Sequence, residues 1–258
     1  MPNWKAFPYA EPAYAYTLAS LKKHWPRLHQ GDCEPWPQDK AAQEAWRAYH
    51  AGDFARAYDT GLTAGTSGIN AANKAAMIYL TYLDEDEERK LEGFQDIAKR
   101  CETLQAQAPD NANAWYIHAY ALGRYSQGIS IARALAQGLG GKVKASLERT
   151  LTLAPEHADA MIALGTWHTE IVVKVGAMMA GITYGAKKDE AVRLFEQALA
   201  LNPESAIART EYANALAALY GKSRLKDAEK LYEEAAACQA ADAMERLDIE
   251  AARAELEE

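Results

Sequence analysis

Three prolines, Pro109, Pro155 and Pro203, occupy the same point of one repeated phrase, and this repetition narrows the possible folds more than any other feature. The phrase reads CETLQAQAPDNANAW up to Trp115, LERTLTLAPEHADAM up to Met161 and FEQALALNPESAIAR up to Arg209. The prolines are 46 and 48 residues apart. The residue before a proline is driven out of the α region, so each phrase ends one helix. A polar pair and a new Ala-rich stretch follow, which begins the next helix. Asp110, Glu156 and Glu204 are predicted at that start, where negative charge meets the positive end of the helix dipole. Self-similarity at a fixed period means stacked supersecondary units, here helix–turn–helix.

The rest of the chain agrees. Alanine dominates the apolar residues, which make up 49% of the total, while Val and Ile are sparse. Alanine is the best helix former and allows close helix approach. Runs of β-branched residues, which favour strands, are nearly absent.

The phrases resemble the tetratricopeptide repeat (TPR) family, whose pattern is W-x-x-L-G-x-x-Y in the first helix and A-x-x-x-F…P in the second. Met161-x-x-Leu164-Gly165-x-x-His168 followed by Ala191-x-x-x-Phe195-x-x-Ala198 and Pro203 matches best. Trp115-x-x-His118-Ala119-x-x-Leu122 with Val143-x-x-x-Leu147 and Pro155 is a second copy. Arg209-x-x-Tyr212-Ala213-x-x-Leu216 with Ala228-x-x-x-Tyr232-x-x-Ala235 is a third, and GDFARA at 52–57 is similar to the family's inter-helix turn. The resemblance spans roughly residues 40–240 and implies an all-α, right-handed α-solenoid of antiparallel helix pairs. Gly165, Ala119 and Ala213 are predicted at helix crossings, where a larger side chain would hold the helices apart.

A standard repeat has 34 residues, and two of these are 12 and 14 longer. The extra residues, 125–141 and 171–185, are apolar and rich in Gly and Ala. Both are read as elongations of the first helix beyond the ordinary edge of the array. In this the chain is also similar to the TPR partner subunits of TRAP-type solute transporters and to the regulator of microtubule dynamics family. That likeness implies a small-molecule-binding accessory protein with an apolar pocket between the long repeats, as an alternative to a protein-binding scaffold.

Three segments are expected: an aromatic, Pro-rich arm with one short helix near 13–24 at 1–37, the repeats at 38–240 and a capping helix at 241–258. In the last, Met244, Leu247, Ala251 and Ala254 form the apolar face. The net charge of −8 argues against nucleic acid, since phosphate contacts need a basic surface. Cys33, Cys101 and Cys238 are odd in number and far apart, which suits a reducing compartment. The N-terminus has no uninterrupted apolar run of a secretory signal, and 171–182 is too short to span a bilayer and holds Lys174. The expectation is a cytoplasmic protein that does not insert into membranes, unless an export signal has been removed.

Catalytic motifs are missing from the sequence. The six histidines (His24, His29, His50, His118, His157 and His168) make no H-E-x-x-H and no zinc spacing with cysteine, and no G-x-S-x-G occurs. His168 stands where the family places a packing aromatic. Neither an enzyme nor a cofactor or metal site is predicted. Lys142, Lys144, Lys187 and Lys188 fall at equivalent places of the long repeats, beside helix starts that suit an anion.

Two candidate surfaces remain. Helical periodicity places Tyr116, Tyr120, Arg124, Thr166, Glu170, Thr210 and Asn214 on the groove face of the first helices, for a protein or peptide partner. A carboxylate clamp would want Lys at 210, and Thr210 argues against one. The apolar residues Ile129, Ile131, Leu135, Val172, Val175, Met178, Met179 and Ile182 must bury against one another, a ligand or a second copy in a homo-oligomer. The leading functional reading is a non-catalytic binding scaffold.

Overall fold

The computed structural model describes residues 4–257, so the first three residues of the expected arm and Glu258 lie outside it. The described residues contain helices and no strand. They divide into two compact units. The fold is that of TPR-like antiparallel helix pairs.

The first unit comprises the chain up to His29, Cys33–Leu153 and Ala241–Met244. A segment with one 3₁₀ turn (Pro12–Tyr14) leads into α1 (Leu18–Leu28). Helix pairs follow: α2 (Lys40–His50) with α3 (Phe54–Thr63), α4 (Ile69–Tyr82) with α5 (Glu87–Gln107), and α6 (Ala112–Gln127) with α8 (Leu139–Leu153). The short helix α7 (Ile131–Ala136) lies between α6 and α8. The first helices also touch in succession, α2 with α4 and α4 with α6.

The second unit comprises Gln30–Asp32, Ala154–Ala240 and the chain from Glu245 onward. Here α9 (Ala158–Val175) pairs with α11 (Lys188–Leu201), and α12 (Ala206–Tyr220) with α13 (Leu225–Ala236). A single turn, α10 (Ala177–Met179), and a π-helical turn (Ala180–Tyr184) separate α9 from α11. The last helix is α14 (Ala243–Glu257). Its Ile249 and Ala252 close on Ala206 and Ala235. Leu247 is buried as expected, but Ile249 and Ala252 turn inward while Ala254 is exposed, so the apolar face differs from the predicted one.

The proline junctions end the helices as expected, two residues ahead of each proline: α5 at Gln107, α8 at Leu153 and α11 at Leu201. The acids play a different part from the predicted one. Asp110, Glu156 and Glu204 lie in the turn, and the next residue caps the new helix. Asn111 Oδ1 accepts from Ala114 N (3.1 Å), His157 Nδ1 from Ala160 N (3.0 Å) and Ser205 Oγ from Ala208 N (3.1 Å). Each of these acceptors satisfies an N–H that the helix itself leaves unpaired. A capping side chain needs a non-helical backbone, which puts the acids one position outside.

Gly165 sits at a crossing: a Cβ there would stand 2.9 Å from the ring of Phe195 on α11. Ala119 and Ala213 are fully buried, as helix contacts require. Helices α6 and α9 have 16 and 18 residues, longer than the other first helices of their units. The elongation stops at Gly128 and at Gly176, whose φ of +81° is costly for other residues. Beyond those glycines each insert folds into separate short turns.

Candidate functional site: the first-helix faces

In the first unit, Tyr120 of α6 meets Thr81 of α4 through their hydroxyls at 3.0 Å, linking successive first helices. Arg124 Nε donates to the Tyr120 hydroxyl (3.2 Å), and its guanidinium lies over that ring at 5.2 Å. Tyr116 stands edge-on to Tyr120 but is buried. In the second unit, Thr166 of α9 donates to Glu211 Oε2 of α12 (2.9 Å), again joining successive first helices. Glu170 pairs with Lys174 at 2.9 Å. Thr210 is buried and offers a ligand little. Asn214 is exposed and accepts from the Tyr232 hydroxyl of α13. Tyr120, Arg124, Thr166 and Glu170 therefore occupy partly exposed positions along first helices, whereas Tyr116 and Thr210 do not.

The first unit also carries features that sequence reasoning missed. Helix α4 is buried at every residue from Asn70 to Leu80. The segment before the repeats contributes to this cover. The Trp4 ring lies tilted against Tyr79 of α4 at 4.4 Å and against Tyr58 of α3 at 5.5 Å, and Lys5 N donates to the Tyr79 hydroxyl (2.9 Å). Gly52, at φ +84°, leaves room for Phe7, whose ring a Cβ would strike at 2.5 Å. The Glu34 carboxylate is buried between first helices. It accepts from Asn70 Nδ2 of α4 at 2.9 and 3.2 Å and from Asn113 Nδ2 of α6 at 2.7 Å. A buried carboxylate requires such donors.

A second buried constellation joins α1, α2 and the C-terminal segment. His50 Nδ1 and Asp242 Oδ2 are 2.6 Å apart, and His50 Nε2 faces His29 Nε2 at 3.2 Å. Two facing ring nitrogens bond only when one carries a hydrogen and the other a lone pair. Trp25 and Trp46 close over these rings, and both histidines are buried. Sealed by tryptophans, the trio fastens the segment at Asp242 to α2. The 192 residues between His50 and Asp242 leave no sequence signal for the pair.

Other candidate chemistry is absorbed by packing. Burial pushes the Cys101 thiol up to about 12, which leaves little thiolate at neutral pH. Burial also lowers the pKa of His118, against the opposing pull of Glu102. Its Nδ1 lies 2.8 Å from Ser146 Oγ of α8. His168 Nδ1 accepts from Lys187 N (3.1 Å). The Lys188 ammonium donates to the Leu219 carbonyl (2.7 Å) and lies over the Tyr220 ring, and Lys144 pairs with Glu148. These lysines therefore already have protein partners. Among the described residues, no group of three or more His, Cys, Asp and Glu side chains is placed to hold a metal ion.

The apolar candidates divide. Val172 is buried, and Ile129 and Val175 are half-buried. Ile131, Leu135, Met178, Met179 and Ile182 are exposed, so of the three expected outcomes, mutual packing, a ligand or a second copy, they do not take the first. Among the described residues no helix is long and apolar enough to cross a membrane.

No family model matches the sequence, and no curated protein matches it. Solved structures do match the fold. One is the crystal structure of TTC0263, a thermophilic TPR protein of Thermus thermophilus, with 15% sequence identity and a TM-score of 0.58. The match covers 83% of this chain and 97% of that one, and at this identity it establishes the TPR-like fold.

Proposed function

We propose that this protein is a non-catalytic binding scaffold whose first helices in the second unit, α9 and α12, receive a protein or peptide segment. The carrying observation is the face on which Thr166 and Glu211 meet while Glu170 remains partly exposed. Stacked helix pairs present such extended faces to partners. In the first unit the corresponding helix α4 is already covered, which leaves Tyr120 and Arg124 at the margin of any contact there.

Crosslinked affinity capture with the full chain, followed by mass spectrometry, tests the reading. A specific partner should be recovered with the native sequence and lost with Glu170→Lys. It should be retained with Glu229→Lys, an exposed reversal on α13. Recovery of the bait alone, or equal capture by all three proteins, would defeat the proposal.

A further inference from the structure

The two inserts carry most of the exposed large apolar side chains. Of nine exposed large apolar side chains among the described residues, six lie in the inserts: Ile131 and Leu135 in the first unit, and Val173, Met178, Met179 and Ile182 in the second. Met178 is 75% exposed and Ile182 78%. Charge segregates to the same places. Residues 125–147 contain Arg133, Lys142 and Lys144, and residues 171–188 contain Lys174, Lys187 and Lys188, yet neither stretch contains an Asp or Glu. This occurs in a chain whose net charge is −8.

The second-unit insert is a preformed tip. Gly176 (φ +81°) ends α9 and Gly185 (φ +68°) ends the π-turn. Between them the backbone bonds to itself: Ala180 N to Gly176 O (2.9 Å), Gly185 N to Gly181 O (3.2 Å) and Ala186 N to Ala180 O (3.0 Å). Buried Ala180 and Ala186 anchor the base while Met178 and Ile182 point into open space. Backbone paired internally is what an apolar medium demands of a chain that enters it. A Cβ built at Gly176 meets nothing within 4 Å, and the same is true at Gly138 and Gly141 of the first-unit insert. No protein wall stands over these glycines, whereas a docked peptide helix or strand needs a walled groove.

We infer that the second-unit tip, residues 171–188, docks on the surface of an anionic lipid bilayer, with Met178, Met179 and Ile182 entering the headgroup boundary and Lys187 meeting lipid phosphates. Interfacial binding combines apolar burial with attraction of Lys and Arg to anionic lipids, and it requires no spanning helix. Lys187 is exposed and available to headgroups. Lys174 exchanges only a half-exposed ion pair with Glu170.

Co-sedimentation of the full chain with large vesicles tests this, comparing phosphatidylcholine alone with phosphatidylcholine containing phosphatidylglycerol. The protein should pellet with the anionic vesicles, and high salt should weaken binding. The double substitution Met178→Glu, Ile182→Glu should lower the partition constant at least about tenfold, since it removes two large apolar contacts. Lys187→Ala should lower it about fivefold. Both sites are exposed, and circular dichroism checks that the variants remain folded. Failure to pellet with either vesicle, equal pelleting with both, or undiminished binding by the double variant would each overturn the inference. So would light scattering that shows a dimer abolished by the double variant, which would assign the tip to a second copy instead.

Discussion

The first helices of the two units meet different fates. In the first unit α4 is sealed from Asn70 to Leu80, with Trp4 against Tyr79 near one end and Glu34 against Asn70 near the other. In the second unit α9 and α12 keep Thr166 and Glu170 partly exposed and Asn214 exposed. Similar helix pairs thus yield one first helix covered in part by the chain's own N-terminal segment and two that keep polar side chains exposed. The difference arises in polar residues buried at α4. Asn70, Asn73 and Lys74 cannot remain in an interior without partners, and the segment before the repeats brings one in Glu34.

Removing that partner should produce the largest effect. Glu34→Ala leaves the Asn70 and Asn113 amides without their carboxylate acceptor, at about 1–3 kcal/mol for each buried group left unsatisfied. Urea denaturation followed by tryptophan fluorescence reads this directly, because Trp4, Trp25, Trp36, Trp46 and Trp115 all belong to the first unit. An unchanged midpoint would mean that Glu34 merely rests on the first helices and that their cover has another origin.

The matching perturbation in the second unit is smaller. Gly165→Leu would drive a side chain into the Phe195 ring, already only 2.9 Å from a bare Cβ, and should cost about 1–3 kcal/mol by overpacking. Thermal unfolding monitored by circular dichroism measures the loss. A melting temperature equal to that of the native sequence would show that α9 and α11 slide apart freely, in contrast to the tightly filled first unit.

How much of this contrast was legible follows from the range of each interaction. The junctions at Pro109, Pro155 and Pro203 were readable because proline acts on its immediate neighbour. Gly165 and Phe195 were readable because the repeat pattern fixes their places. The caps were nearly so: the sequence marked the polar pair after each proline, but only the backbone shows that Asn111, His157 and Ser205 make the bonds. Glu34 was invisible because its partners stand 36 and 79 residues away and follow no period. The inserts looked like continuous helices because their composition is helical. Gly176 breaks α9 through a positive φ, a choice that glycine permits and sequence alone does not dictate. On the candidate faces, Tyr120, Arg124, Thr166 and Glu170 are partly exposed as the helical period suggests, while Tyr116 and Thr210, one turn before Tyr120 and Asn214, are buried.

The smallest expected effect concerns protons and again belongs to the first unit. His118 of α6 is held between α5 and α8, with Ser146 of α8 on one ring nitrogen and Glu102 of α5 at 3.5 Å from the other. Burial lowers its pKa and outweighs the attraction of Glu102. An unfolded chain would titrate this imidazole near the ordinary value of about 6.5. Below that pH the unfolded state takes up a proton that the folded state refuses, so acid favours unfolding. The contribution is complete above the ordinary imidazole value and declines as pH falls through it. Urea midpoints at pH 7.5 and 5.5 should therefore differ more for the native sequence than for His118→Gln, which cannot titrate. If both proteins lose the same stability between those two pH values, the imidazole is paired closely enough with Glu102 to be charged in the fold, and the α5–α6 contact is an ion-paired seam instead of a neutral one.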